Sequence, residues 1–424
     1  MTLNEYCEAL RGKRIAVIGY GISNKPLVRL LLRYGLDVTV RDKKDCAVEG
    51  AKTVCGDGYL ANLTEDVIFR TPALMPRTPE LAAAVARGAT LTSETEAFFE
   101  VCPCRIIAIT GSDGKTTTST LIAEMLRREG YTVHLGGNIG TPLLDRADEM
   151  KPTDFAVLEL SSFQLISMTR SADIAVITNV TPNHLDIHKD FDEYVDAKRN
   201  VFAHQGENGI VVLNADDEIC RKFAAEARGE VRFFNEQKID FDIKIPGAHN
   251  VLNYKAAITA LKDIVSAEAI RATAREFGGV EHRNEFVREL RGVKFYNSSI
   301  DSSPTRTTAA IRSYGQKVIL IAGGKDKGIA YDSIGLPIVE NVKTLVLTGM
   351  TADKIRAAVE NCADYHGEPQ IIFEPEFEAA VKTAAGVAAS GDIVVLSPAS
   401  TSFDRFANFE ERGNYYKEIV NGLD

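Results

Sequence analysis

The sequence lacks any long hydrophobic run. None of its 424 residues lies in a stretch approaching the ~20 consecutive apolar residues that a helix needs to cross a bilayer. Residues 1–10 include Glu5 and Glu8 and no apolar segment, so we expect no secretory signal here. Insertion into a membrane is therefore not expected.

The sequence also has no excess of basic residues. Its 49 lysines and arginines are outnumbered by 59 aspartates and glutamates, which gives a formal charge of −10. A dedicated nucleic-acid or membrane-surface protein would be expected to concentrate positive charge. We therefore expect no nucleic-acid partner, although backbone N–H groups of an acidic protein can still bind a phosphate.

Cysteines are few and irregularly spaced. There are seven, an odd number, and only Cys102 and Cys104 are close in sequence. This usage predicts reduced thiols and a cytoplasmic location. The pair also lacks the partners of a zinc site. The 45% of hydrophobic residues and 25% of charged residues are typical of a globular chain, and its length favours roughly two to four domains.

Short apolar runs alternate with helical stretches, which is the pattern of parallel sheets covered by helices. We predict three such blocks, with boundaries at residues 1–93, 94–279 and 280–424. The strands expected in them cover residues 14–19, 37–40, 105–110, 131–135, 155–160, 174–179, 210–213, 317–322, 344–348 and 393–396.

A glycine turn follows the first predicted strand. Gly19-Tyr-Gly21 precedes a helix expected over residues 26–34, and Asp42 follows the next strand. An acid about 20 residues after such a turn is typical of a dinucleotide-binding fold. Asn24 occupies the place of the third glycine, which weakens an NAD interpretation and leaves room for a nucleotide-sugar.

A second glycine turn, Thr110 to Thr116, reads Thr-Gly-Ser-Asp-Gly-Lys-Thr and joins a buried strand to a helix. Its glycines would let backbone N–H groups converge on phosphate, and the helix N-terminus adds partial positive charge. Lys115 would neutralise the β- and γ-phosphates, and the Thr116 hydroxyl would ligate Mg²⁺. Ile109 replaces the first glycine of the usual motif, so an ordinary turn with a surface lysine is the alternative.

Polar side chains stand near the ends of three other strands in this block. Glu159 lies near the end of one strand, and His184 and Asn138 follow two others. Ligands of open parallel sheets bind beyond these strand ends, so we expect all three on the same rim as Lys115. A carboxylate in an apolar strand is costly unless paired or metal-bound. We predict Mg²⁺ ligation by Glu159 and His184; the alternatives are an arginine partner and a solvated histidine.

The ordered set of motifs resembles the Mur ligase family and its relative folylpolyglutamate synthase. Each motif is weak alone, but together they follow the family's order over nearly the whole chain. The segments 396–399 and 408–413 resemble the branch that adds D-glutamate. The matching segments are residues 110–116, 137–140, 159–164, 179–184, 194–198, 249–253, 281–283, 323–324, 396–406 and 408–413.

The resemblance implies an α/β fold of three domains: a Rossmann-like first domain, a central domain with the phosphate loop, and a Rossmann-like third domain. It implies catalytic roles for Lys115, Glu159, His184 and Lys198. Lys198 would be carbamylated and would help to place a second Mg²⁺, although the residues alone indicate only a surface helix lysine. The implied metal ligands are Thr116, Glu159, His184 and Lys198, and the implied ATP-binding residues are Gly111, Ser112, Asp113, Gly114, Lys115, Thr116, Thr117, Asn250, Asn253 and Arg283.

The resemblance also implies the other substrates. The first domain would bind UDP-N-acetylmuramoyl-L-alanine and the third D-glutamate. ATP would convert the L-alanyl carboxylate to an acyl phosphate that the amine attacks, in peptidoglycan precursor synthesis by a monomer. The implied UDP-substrate residues are Ile22, Ser23, Asp42 and Asn138, and the implied amino-acid residues are Lys327, Ser402 and Phe409.

One stretch departs from the family pattern. Glutamate-adding members commonly carry Asn-Asp-Ser-Lys where this chain has Asn297 to Ile300, Asn-Ser-Ser-Ile, and Asp301 and Arg306 are the nearby substitutes. Three alternatives stay open. The first glycine turn argues against a folylpolyglutamate synthase. An NAD dehydrogenase would leave the phosphate loop unexplained, and a nucleotide-binding regulatory protein with a decayed site is supported only by this stretch.

Overall fold

The computed structural model describes residues 1–245 and 247–424. It divides into two compact units, one of Met1–Phe241 and Leu252–Thr273, the other of Asp242–Val251 and Ala274–Asp424. Two sheets lie in the first unit and one in the second. The domain boundaries expected near residues 93 and 279 stay a prediction. Within the described ranges, no helix combines the length and the apolar character that crossing a membrane requires.

The first sheet has five parallel strands in the order β3-β2-β1-β4-β5. Ile15 and Val17 pack into one core cluster, and Ala16 and Ile18 into another. Both faces are therefore covered, which is why the strand is apolar throughout. The elements are α1 (Leu3–Ala9), β1 (Arg14–Ile18), α2 (Asn24–Arg33), β2 (Asp37–Asp42), β3 (Lys52–Cys55), β4 (Val67–Phe69), α3 (Pro79–Ala86), β5 (Thr90–Thr92) and α4 (Glu94–Val101).

The second sheet has six parallel strands in the order β11-β10-β9-β6-β8-β7. Its central strand β6 leads into the predicted phosphate loop and then into α5. The elements are β6 (Arg105–Thr110), α5 (Lys115–Glu129), β7 (Val133–Gly137), β8 (Phe155–Glu159), α6 (Ser162–Leu165), β9 (Ile174–Ile177), α7 (Phe191–Arg199), β10 (Ile210–Leu213), α8 (Glu218–Ala224), β11 (Glu230–Phe233), α9 (Ala248–Ala260) and α10 (Ala267–Glu276).

The third sheet, in the second unit, is mixed, with the order β12-β13-β17-β14-β15-β16. Its antiparallel pair β12–β13 was not expected. Arg291 and Gly292 join the two strands and both have positive φ, as a two-residue hairpin turn requires. The elements are β12 (Glu285–Leu290), β13 (Val293–Asn297), α11 (Pro304–Arg312), β14 (Val318–Ala322), α12 (Gly335–Asn341), β15 (Val342–Leu347), α13 (Ala352–Glu360), β16 (Gln370–Phe373), α14 (Phe377–Gly386), β17 (Ile393–Leu396) and α15 (Phe409–Asn421).

The predicted α/β fold is confirmed, and one difference in strand length bears on the site. The strand expected over residues 174–179 ends at Ile177. Beyond it, the Thr178 hydroxyl donates to the Asp113 carbonyl at 2.5 Å, and the Asn179 side-chain oxygen accepts from the Asp113 N–H at 3.0 Å. The chain leaves the sheet early because these two polar residues hold the glycine turn.

A buried ion pair stabilises the first sheet. The Arg41 guanidinium lies 2.8 Å from the Glu65 carboxylate, and both side chains are almost fully buried. Arg41 also donates to the Tyr59 and Ala61 carbonyls, each at 3.0 Å. The pair therefore ties β2 to the loop that precedes β4.

We expect Glu65→Ala to destabilise the first unit by about 3–5 kcal/mol, because Arg41 would stay buried without its counter-charge. Urea unfolding followed by circular dichroism measures the change. The control is Lys52→Ala, which removes an exposed pair with Asp37 and should change stability far less. Equal losses in the two variants would contradict the argument.

Candidate active site

The turn between β6 and α5 has a backbone that only glycine fits at two positions. Gly111 has φ +146° and Gly114 has φ +80°. A Cβ on Gly111 would lie 1.9 Å from the Thr178 hydroxyl oxygen, and one on Gly114 would lie 2.4 Å from the Asn253 side-chain oxygen. The turn is thus tightly enclosed, with the helix N-terminus directly behind it.

Two lysines converge on one carbonyl of this turn. The Lys115 ammonium donates to the Gly111 and Ser112 carbonyls, each at 2.9 Å. The Lys198 amine donates to the same Gly111 carbonyl at 2.7 Å. Two amines this close repel each other when both are charged, so the arrangement favours an anion beside the turn.

Lys198 is buried, with 2% of its surface exposed, so the interpretation as a surface lysine from the residues alone is wrong. Its amine lies 4.5 Å from the centre of the Tyr194 ring. Burial lowers the pKa of Lys198 well below its ordinary value, and the nearby charge of Lys115 lowers it further. The glycine turn covers this amine. The helical periodicity around Lys198 could not predict that burial.

Glu159 is also buried, with 2% exposed, and one of its oxygens lacks a hydrogen-bond partner. Oε1 accepts from the Asn138 side-chain amide at 2.8 Å, whereas Oε2 has no partner among the described residues. An unsatisfied buried carboxylate oxygen is costly. Glu159 therefore has no arginine partner among the described residues, and that alternative is wrong. Its unpaired Oε2 suits a cation.

His184 lies in the loop after β9 and has a left-handed backbone, with φ +56°. Its ring packs edge-on against Phe163 at 5.1 Å. Partial burial lowers the pKa of His184, and the charges of Lys115 and Lys198 act in the same direction. The neutral imidazole that a metal requires is therefore favoured.

Mg²⁺ fits the residues present. Among residues 1–245 and 247–424, no three His, Cys, Asp or Glu side chains form a protein-only cage. Mg²⁺ is commonly held by one or two carboxylates together with substrate phosphates. The unpaired Glu159 oxygen and the Thr116 hydroxyl, at the start of α5, would suit that pattern. Thr117, which follows in the same turn, is largely buried.

The residues expected at the UDP-substrate site lie at two places in the first unit. Ile22 is 82% exposed, and the Asp42 carboxylate accepts from the Tyr20 N–H at 2.6 Å. Ser23 lines a cleft that also includes Gly137, the residue before Asn138. The cleft is therefore lined both by a residue that follows the first glycine turn and by the residue that precedes Asn138.

Arg70 was missed by the sequence reasoning. It is 1% exposed and donates to the Phe163 carbonyl at 2.7 Å and to the Ser167 hydroxyl at 2.9 Å. Burial lowers the pKa of Arg70 to about 10, and its side chain lines the same cleft. The signal that could have revealed Arg70 is a charged residue directly after an apolar strand. The same kind of signal, a charge in an apolar strand, identified Glu159.

The residues expected to bind the rest of the nucleotide are distributed over both units. Asn253 is buried, and its side-chain oxygen accepts from the Thr118 hydroxyl at 3.3 Å. Asn250, in the second unit, is buried too. In the second unit, Arg283 follows the buried His282 and is partly exposed.

The residues expected to bind the amino acid lie at the strand ends of the third sheet. Lys327 is exposed, and its loop is joined to the Ser402 loop because the Lys325 N–H donates to the Thr401 carbonyl at 2.8 Å. Phe409 begins α15, and its carbonyl accepts from the Ser299 hydroxyl at 2.8 Å.

The two suggested substitutes in the altered stretch have different surroundings. Asp301 is buried, and its carboxylate accepts from the Ser397 hydroxyl at 2.8 Å. Burial raises the pKa of Asp301. Arg306 is exposed and donates to the Ile300 carbonyl at 3.2 Å. Asp301 thus faces the interior, whereas Arg306 is open to solvent.

These features define an α/β protein in which two lysines converge on a glycine turn and the neighbouring strand ends in a carboxylate with an unsatisfied oxygen. Comparison with known proteins specifies the class further. Residues 109–236 match the Mur ligase middle domain, and residues 282–400 match the Mur ligase, glutamate ligase domain. A UDP-N-acetylmuramoylalanine–D-glutamate ligase of Ruminiclostridium cellulolyticum is 49% identical over 460 residues, covering 99% of each chain. The chain belongs to the Mur ligase family.

Other relatives agree with this assignment. A UDP-N-acetylmuramoylalanine–D-glutamate ligase of Acetivibrio thermocellus is 48% identical, covering 100% of this chain and 99% of that one. The UDP-N-acetylmuramate-alanine ligase MurC of Thermotoga maritima superposes with a TM-score of 0.58 at 17% identity, covering 96% of this chain and 99% of that one. At that identity the superposition supports the fold alone. Mur ligases depend on ATP and use Mg²⁺.

We expect Glu159→Gln to be at least as stable as the wild type without metal, because the amide carries no buried charge and can still accept from Asn138. Mg²⁺ binding in the presence of an ATP analogue should be lost. Thermal unfolding and calorimetric titration measure the two effects. The control is Glu124→Gln, a more exposed carboxylate paired with Arg127. A less stable variant that still binds Mg²⁺ would contradict the cation-site interpretation.

We expect Lys198→Met to stabilise the protein in CO₂-free buffer, and the gain should shrink as the pH rises. Below its lowered pKa the buried ammonium destabilises the fold in full. Above it, the unfolded state alone still binds the proton, so wild-type stability rises with pH until the ordinary value of 10.5 is passed. Urea unfolding over a pH series measures this. Lys222→Met, at an exposed site, is the control. A stability gain in Lys198→Met that does not change with pH would refute the assignment of Lys198 as a buried lysine with a lowered pKa.

Proposed function

We propose that this protein is an ATP-dependent ligase that joins D-glutamate to UDP-N-acetylmuramoyl-L-alanine, giving ADP and phosphate. The near full-length relatives that carry this name support the choice of substrates. We further propose that it acts in the cytoplasm as a monomer, in peptidoglycan precursor synthesis. The three blocks at residues 1–93, 94–279 and 280–424 would bind the UDP-substrate, ATP and D-glutamate.

One observation carries the proposal: Lys115 and Lys198 converge on Gly111 in the first unit, which also holds the unpaired oxygen of Glu159. ATP and a carboxylate are both anions, and bringing them together is the electrostatic difficulty of the first step. A fixed Lys115 ammonium, together with a metal cation at the Glu159 oxygen, would reduce that repulsion without reorganising during the reaction. The remaining predicted ATP contacts are Gly111 to Thr117, with Asn250, Asn253 and Arg283.

The chemistry follows from these groups. A carboxylate is a poor electrophile, so its oxygen first takes the γ-phosphoryl group of ATP, and ADP leaves. Lys115 would hold the β- and γ-phosphates and offset the charge that develops on them. The amine of D-glutamate then attacks the acyl carbon and loses a proton, and phosphate leaves. When bound by Thr116, Glu159 and His184, Mg²⁺ would supply further positive charge.

The UDP-substrate and the amino acid are assigned to different residues. Ile22, Ser23 and Asp42 would bind the UDP group, and Asn138 would extend this site toward the second sheet. Lys327, Ser402 and Phe409 would bind D-glutamate. Arg306 is the substitute that we favour for the missing lysine of the altered stretch, because it is exposed while Asp301 is buried.

Carbamylation of Lys198 is part of the proposal. Its nitrogen would form a bond to the carbon of CO₂ and release one proton, which converts an amine to an anion. Only the neutral amine can react, and burial favours that form of Lys198. The resulting carbamate would lie near the positive Lys115 and would help to hold a second Mg²⁺.

The decisive test is phosphate release with UDP-N-acetylmuramoyl-L-alanine, ATP and a panel of amino acids. We expect turnover with D-glutamate and little with L-glutamate, L-lysine or glycine. Lys115→Ala should lose at least ~100-fold in turnover, as is typical when one electrostatic donor is removed. The matched control is Lys25→Ala, an exposed lysine on α2.

The possible outcomes separate the alternatives. Turnover with L-glutamate and a folate in place of the UDP-substrate would point to folylpolyglutamate synthase chemistry. ATP binding without turnover on any amino acid would support a regulatory protein with a decayed site. Near-normal phosphate release by Lys115→Ala would refute the role of the phosphate loop.

A further inference from the structure

Three aromatic side chains lie next to the candidate metal site without a role in the proposed function. Phe163 is parallel to His188, with ring centroids 5.0 Å apart and planes 7° apart. Tyr194 packs edge-on against His188 at 5.4 Å. We call Phe163, His188 and Tyr194 the ring stack.

The ring stack contacts two proposed metal ligands, one at each end. His184 packs edge-on against Phe163 at 5.1 Å. The Lys198 amine lies 4.5 Å from the centroid of the Tyr194 ring. His188, in the middle, therefore connects two side chains that lie 14 positions apart in sequence.

His188 is held so that its ring cannot turn. Its side chain is fully buried, Nε2 is 2.9 Å from the Ser162 hydroxyl, and Nδ1 is 3.1 Å from the Glu193 carboxylate. A carboxylate can only accept, so Nδ1 carries the proton and Nε2 accepts from Ser162. Glu193 is itself held by Arg77 at 3.0 Å and by the Lys189 N–H at 2.8 Å.

His184, in contrast, needs support. Its left-handed backbone, with φ +56°, is unfavourable for a residue with a Cβ, and much of its surface is exposed. The carbonyl of His184 accepts from the His188 N–H at 2.9 Å, and its ring rests on Phe163. His188 therefore holds His184 both through the backbone and through the ring stack.

We propose that His188 is a positioning residue that fixes the His184 imidazole for metal binding through Phe163. The inference rests on the proposed function, in which His184 is a ligand of Mg²⁺. The groups that orient a ligand typically change metal affinity about 10–100-fold when they are removed. We expect removal of the His188 ring to weaken metal binding by a similar factor and to leave binding of the UDP-substrate unchanged.

The test uses Mn²⁺ as a paramagnetic probe on the full-length protein with a non-hydrolysable ATP analogue. In the wild type, we expect Mn²⁺ to broaden the ring C–H NMR signals of His184, assigned with a His184→Gln variant. His188→Ala and Phe163→Leu should each weaken Mn²⁺ binding about tenfold. His188→Phe keeps a flat ring on Phe163 and should restore part of the affinity.

Steady-state kinetics provide the second readout. The Mg²⁺ concentration for half-maximal turnover should rise in His188→Ala, while kcat at saturating Mg²⁺ and KM for the UDP-substrate stay unchanged. A merely structural role would change all of these constants together, and that result would overturn the proposal. His204→Ala, at an exposed histidine whose ring contacts the Met168 carbonyl, is the control.

Failure of this inference can be distinguished from failure of the proposed function. If the wild type shows no ligase turnover but Mn²⁺ broadens His184 and this broadening weakens in His188→Ala, the positioning role stands alone. If turnover occurs but Mn²⁺ leaves the His184 signals sharp in the wild type, the positioning role is refuted and the ligase assignment is retained. Unaltered Mn²⁺ affinity in His188→Ala also refutes it.

Discussion

The structure depends on one electrostatic constraint, the convergence of two amines on the Gly111 carbonyl. Lys115 comes from the helix that begins at the turn, and Lys198 from a helix much later in the chain. The surrounding sheet positions both, and the turn can approach them because Gly111 and Gly114 adopt a backbone that other residues avoid. The lowered pKa of Lys198 and an anion bound beside the turn would each reduce the repulsion between the two amines.

Much of the fold could be predicted from the sequence, because parallel strands buried on both faces produce continuous apolar runs. The strand over residues 393–396 was predicted with its observed ends. The hairpin of β12 and β13 was missed because no residue of β12 is fully buried, so its alternation of apolar and polar residues was too weak to indicate a strand. Strand ends were overestimated where polar residues such as Thr178 leave the sheet to bind a loop.

The candidate site was predictable where a residue contradicts its own local pattern. Glu159 stands out as an acid in an apolar strand, and Lys115 as the lysine of a glycine turn. Lys198 and His188 did not stand out, because their sequence neighbours are typical of an ordinary helix and loop, and their burial depends also on distant residues: Gly111 for Lys198, and Ser162 and Phe163 for His188. Burial of this kind is a property of the tertiary structure, which periodicity along a single segment cannot report.

The site combines several features that are each unfavourable in the absence of ligands. These are an unpaired oxygen on Glu159, a buried amine on Lys198 and a left-handed His184. Natural proteins depart from locally consistent choices mainly at functional sites. Because the three lie in one unit with the glycine turn, a bound nucleotide and its metal would satisfy them together. The stability lost to these features is then recovered as binding energy, and the groups are already in place before the substrates arrive.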